Sequence, residues 1–170
     1  MSKKKTIAHF EALRQDMRDE IKSRIRQRDK YSIQLTISLG ALVAVSFSST
    51  EFRLVLLAVP LVSIYFTILI LYSYKIHSVI AKYLREEIEP ELAQLCETPP
   101  EKEWETYYKN QNVPGIRRDF FISAMWFVCI LSLLYLWFVE CEQVGCTVLS
   151  VATASYGLAI FVITLLFYKR

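Results

Sequence analysis

The side chains in this 170-residue chain whose types allow chemistry are two histidines, four cysteines and a run of glutamates, and their spacing argues against most of it. His9 and His77 are far apart, each in an amphipathic segment, whereas a structural metal needs about four converging ligands. Cys141 and Cys146 share one short loop with C-x4-C spacing, so they are either a disulfide formed by an oxidising exterior or two free thiols. Cys96 and Cys129 are too distant to complete a metal site. Glu86 to Glu105 holds eight glutamates, but paired carboxylates do acid–base work only in a pocket that perturbs them; here they read as a solvated helix face. There is no phosphate loop, G-x-G-x-x-G, G-x-S-x-G or H-E-x-x-H. The chain is therefore read as a non-enzyme with no catalytic residue, cofactor or metal.

What remains is an architecture. Composition is 54% hydrophobic and 14% aromatic with a mean hydropathy of +0.29, and the apolar residues gather in blocks. The uncharged runs 54–74, 120–139 and 146–168 each match the roughly 20 residues that cross a ~30 Å hydrocarbon core. A fourth block, 31–50, contains "SIQLTISLGALVAVSFS", whose near-alternation suits a strand. A membrane strand needs a closed barrel, and nothing else in the chain supplies one. The block is accordingly read as a helix. The expectation is an all-α integral membrane protein: transmembrane hairpins at 31–74 (helices 31–50 and 54–74) and 120–168 (helices 120–139 and 146–168).

Nineteen of the twenty Lys and Arg residues fall outside the two short loops at 51–53 and 140–146. This asymmetry places both termini in the cytoplasm of a plasma (inner) membrane protein. Residues 1–30 form a basic amphipathic helix, with Phe10, Leu13, Met17, Ile21 and Ile25 at three-four spacing. Residues 75–119 continue the second membrane helix, with Pro90 ending or kinking it. Packing between the basic 22–30 and acidic 86–105 stretches is the simplest use of both. Arg24, Arg26, Arg28, Lys30, Arg117 and Arg118 then lie at the cytoplasmic face beside lipid head groups, which accounts for them without nucleic acid.

Three sets of residues stand out on these elements. Gln34, Ser38 and Ser48 share a face of the first membrane helix; Ser150, Thr153, Gly157 and Thr164 share one on the fourth. Small and hydroxyl seams serve helix packing or line a weakly polar pore. Gln34 is the only carboxamide in the apolar blocks, and a ring of Gln34 side chains about a symmetry axis would satisfy it. Trp104, Tyr107 and Tyr108 form either a docking patch for a cytoplasmic partner or a segment folded back on its neighbours. The apolar blocks carry no Asp, Glu, Lys, Arg or His, which argues against a proton-coupled transporter.

The stretch "ILYSYKIHSVIAKYLREEIEPEL", followed after a gap by "WETYY", resembles small prokaryotic four-helix membrane proteins with an "I…YIR…I.P.L…WE" stretch. The wider layout is similar to SLATT-type membrane effectors of prokaryotic defence, although those have two membrane helices where four are read here. The resemblance implies an oligomeric membrane protein that compromises the bilayer when a partner signals infection, and it supplies no catalytic residue. The function expected is thus a homo-oligomeric effector or pore that alters permeability on a cytoplasmic signal. The alternative is a scaffold or sensor that recruits a cytoplasmic protein through residues 75–118.

Overall fold

The computed structural model describes residues 3–99, 104, 106, 107, 116–139 and 145–168, with the backbone alone at 116–118 and 168. Every described element is helical: α1 (Lys3–Ser46), a 3-10 segment (Thr50–Leu57), α2 (Ala58–Tyr83), a π turn (Leu84–Ile88), α3 (Glu89–Cys96), α4 (Ile116–Val139) and α5 (Cys146–Tyr168). Three helical runs are long and apolar enough to cross a membrane: Thr50–Cys96, Asp119–Val139 and Cys146–Phe167.

The first of these has 47 residues, about 70 Å at 1.5 Å per residue. That is more than twice the ~30 Å of a hydrocarbon core. Its uncharged part ends at Tyr74, so the residues from Lys75 onward belong outside the apolar layer.

The fourth expected span is where sequence and structure part. α1 runs as one helix of 44 residues through the expected boundary between 1–30 and 31–50. No glycine or proline precedes Gly40, so nothing interrupts the i→i−4 ladder at the change from charged to apolar sequence. The helix also stops early, at Ser46 instead of Thr50. The Ser46 hydroxyl donates to the Leu42 carbonyl, and the Ser48 hydroxyl donates to that of Val45. Residues 31–46 alone make about 24 Å of helix, so the uncharged part of α1 is short of the apolar thickness.

α2 starts at Ala58, four residues later than expected, with Pro60 in its first turn, where an N–H would have no intrahelical partner anyway. Further along, Pro90 lacks an N–H and its ring collides with the carbonyl four residues back. The π turn at Leu84–Ile88 is the widened turn that accommodates it, and α3 restarts with Pro90 in its first turn.

Backbone packing divides the chain into two compact units, Met1–Arg28 with Tyr72–Gly115, and Asp29–Leu71 with Ile116–Arg170. In the first, Ile21, Leu84, Ile88 and Leu92 are buried together, with Phe10, Leu13, Met17 and Ile80 against them. Among the described residues, apolar side chains pack these helices together. Lys22 pairs with Asp19, Arg24 with Glu20 and Lys82 with Glu86, each within its own helix. Lys3–Glu97 links α1 to the end of α3, but at an exposed site where such a pair contributes little.

In the second unit one cluster gathers Ile64, Leu71, Ile122, Met125, Cys129, Ile160 and Ile163. Another gathers Leu56, Val59, Leu136 and Leu149, with Leu39 and Leu42 of α1 packed on it.

Candidate functional site

Within the second unit α1 buries a narrow stripe. Ser32, Leu35, Leu39, Leu42 and Ser46 recur at three-four spacing and are half-buried or buried. Around the rest of the helix, Ile33, Gln34, Ile37, Gly40, Ala41, Ala44, Val45 and Ser48 are exposed, Ile33 and Ile37 at 60% and 65%. The seam read from sequence therefore divides: Gln34 and Ser48 face outward, whereas Ser38 is half-buried. The Gln34 side chain makes no hydrogen bond among the described residues, while the hydroxyls of Thr36 and Ser48 return to carbonyls of their own helix. Gly40 and Ala44 sit four apart on this open face, the small-xxx-small spacing that lets two helix backbones approach closely. A side chain added at Gly40 would meet no atom within 4 Å.

The seam on α5 has a different fate. Trp126 Nε1 donates to Thr164 Oγ1 at 3.0 Å, and Trp137 Nε1 donates to Thr153 Oγ1 at 3.1 Å. Each threonine hydroxyl passes its own proton to a carbonyl four residues back, Ile160 and Leu149. The tryptophans are eleven residues apart on α4 and the threonines eleven apart on α5, about three helical turns each. The earlier Trp takes the later Thr, the order that antiparallel helices require. Thr153 and Thr164 are thus committed to packing α5 on α4. Ser150 and Gly157 are exposed, and Gly157 also has nothing within 4 Å. The two clasps were missed in the sequence, where the matched spacing of the two pairs was the available signal.

The basic residues also separate. Arg26 and Lys30 are exposed, as expected of a head-group contact, but Arg28 is buried and Arg24 half-buried. Arg24 Nε donates to Glu20 Oε1 at 2.7 Å and Nη1 to Gln27. The Arg28 guanidinium lies 4.0 Å from the Tyr74 ring centroid, and its Nη1 stands 3.2 Å from His77 Nδ1. One helical turn away the buried Ser73 hydroxyl donates to the Arg24 carbonyl. Arg28 is therefore a link between α1 and α2 in the first unit and not a lipid-facing cation.

Trp104 and Tyr107 are exposed at 58% and 51%, with ring centroids 6.4 Å apart. Between them in sequence, Thr106 donates both its backbone N–H and its hydroxyl to Glu89 Oε2, at 3.2 Å each. Glu89 is 1% exposed, immediately after the π turn, so this buried carboxylate ties the aromatic pair to the start of α3. Cys146 is disulfide-bonded; Cys96 is free and exposed, and Cys129 free and buried. Cys141 and Tyr108 lie outside the described residues, as do the side chains of Arg117 and Arg118. Among the described residues no group of three His, Cys, Asp or Glu side chains is placed to hold a metal.

No protein-family model, curated protein or solved structure matches the chain.

Proposed function

We propose that the chain is a self-associating membrane effector, in which copies meet along the open face of α1 and together alter bilayer permeability on a cytoplasmic signal. The observation that carries this reading is Gln34, exposed with no hydrogen-bonding partner among the described residues, on a face with Gly40, Ala41 and Ala44. A carboxamide facing hydrocarbon lacks a partner at a cost of several kcal/mol. The same side chain in a neighbouring copy supplies one, and the small residues beyond it permit the approach.

The topology proposed with it has four crossings and both termini in the cytoplasm of an inner membrane. α1 crosses with its end turn at 47–49 included, and Lys30 extends its side chain to the head-group level. Charge asymmetry supports this orientation, since Arg53 is the single cation in the two outer loops. A disulfide between Cys141 and Cys146 belongs to the same topology, on the oxidising side. The likeness to SLATT-type effectors adds the suggestion that the signal arises in antiviral defence.

The test is the mass of the particle in lipid nanodiscs combined with ion flux from loaded vesicles. A closed ring of four or more copies, with flux lost in Gln34→Leu/Ser38→Leu at unchanged expression, meets the expectation. A monomer, or flux indifferent to both substitutions, rejects it.

A second reading rests on the exposed Trp104–Tyr107 pair anchored through Glu89. Rigid exposed aromatics are typical interface anchors, and here they favour a scaffold that recruits a cytoplasmic protein. A complex lost in Trp104→Ala/Tyr107→Ala, with the nanodisc mass unchanged, would select this reading over the first.

A further inference from the structure

We propose that Arg28, Tyr74 and His77 form an acid-released lock between α1 and α2, closed while the imidazole is neutral and opened when it takes up a proton. The geometry leaves only one protonation state for the closed form. A guanidinium carries five N–H donors and no acceptor. His77 Nδ1, 3.2 Å from Arg28 Nη1, must therefore present a lone pair, and the ring proton sits on Nε2. The guanidinium is otherwise seated on the Tyr74 ring, a contact that gains strength where water is excluded. Arg28 is 8% exposed, so it has little solvent to turn to. A proton on Nδ1 would remove the acceptor and set a second cation against the first.

The charged groups that α1 brings to this place are Arg28 and, one turn earlier, Arg24, which is held by Glu20. α2 contributes Tyr74 and the exposed Lys75. No carboxylate among the described residues is bonded to His77 to compensate a positive ring. Burial, and then the Arg28 charge, hold the imidazole below its ordinary value of 6.5. The sign of the linkage follows. The open form binds a proton more readily than the closed form, so closure weakens as pH falls below about 6.5 and stops weakening at the lower midpoint of the closed form. Between those limits the opening equilibrium rises by up to about tenfold per pH unit, the slope for one proton. The lock stands apart from the proposed self-association, since each of its residues belongs to the first unit.

The experiment uses the full chain in nanodiscs with nitrogen-15 histidine. The sequence holds two histidines, and the signal lost in His77→Gln assigns His77. The expected result is an Nε2–H tautomer for His77 at neutral pH and a midpoint below the ordinary 6.5, raised in Arg28→Gln, which removes the neighbouring charge. Amide exchange over residues 24–28 and 73–77, corrected for the intrinsic pH dependence, should accelerate in acid. It should be pH-independent in His77→Gln, whose side-chain carbonyl still accepts from Arg28 but takes no proton. A His77 midpoint at or above 6.5 would overturn the proposal, as would acid-dependent exchange that persists in His77→Gln or is missing from the wild type.

Discussion

Replacing Gly40 with leucine asks of the protein something that its single chain and its assembly answer oppositely. Nothing in the chain lies within 4 Å of a Cβ at this position, so the leucine has open space around it. Glycine is also about 1 kcal/mol worse than alanine inside a helix and leucine nearly as good as alanine, so α1 itself should gain close to 1 kcal/mol. In an assembly built on the α1 face the same side chain enters the closest approach of two backbones. Overpacking of that kind costs about 1–3 kcal/mol per contact, which is roughly 5- to 150-fold in association at each interface. The assay is native mass spectrometry of nanodisc-embedded protein over a range of protein-to-disc ratios, with helix content followed by circular dichroism. Gly40→Leu should leave helix content intact and move the mass toward monomer. Gly157→Leu is the matched control, since a Cβ at that exposed glycine of α5 also has nothing within 4 Å. An assembly indifferent to Gly40→Leu refutes α1 as the contact, and one broken by Gly157→Leu alone moves the contact to α5.

Trp126→Phe and Trp137→Phe each remove one indole donor from a threonine of α5 and should cost about 0.6 kcal/mol apiece, the average for hydrogen bonds between membrane helices. Thermal unfolding in detergent reads the loss, and the double variant should be close to additive because the pairs are three turns apart. Glu89→Ala withdraws the acceptor of both Thr106 bonds from a buried position and should cost about 2–3 kcal/mol, whereas Trp104→Ala, at an exposed ring, should stay within about 0.5 kcal/mol. Cys96 is free and exposed while Cys129 is free and buried, so a membrane-impermeant maleimide should label one site, Cys96, in inside-out vesicles and none in right-side-out vesicles. Labelling from the opposite side would reverse the proposed orientation.

How far the sequence could be read depended on whether the deciding interaction was local. The three long apolar runs are legible because crossing length and hydropathy are properties of one segment, and they stand in the structure as helices of that kind. The end of α1 was not legible: the apolar block runs on to Thr50 while the helix stops at Ser46, and no glycine or proline between 41 and 50 marks the place. The seam on α5 was legible only as a choice between packing and pore lining. Thr153 and Thr164 share a face with Ser150 and Gly157 by helical period alone, yet two of the four are taken by tryptophans of another helix. Periodicity assigns residues to a face of one helix and carries no information about what covers that face.

Arg28 makes the same point with charge. Beside Arg26 and Lys30 it reads as one more head-group cation, and only α2 distinguishes it, by bringing Tyr74 and His77 to the side on which Arg28 lies. Once that neighbour is known the chemistry is restrictive in a way the basic run is not. A guanidinium among lipid phosphates tolerates any acidity the bilayer tolerates, whereas a guanidinium bonded to an imidazole nitrogen holds only while that nitrogen keeps its lone pair. The residue that looked most like its neighbours is therefore the one whose contact has a pH at which it must fail.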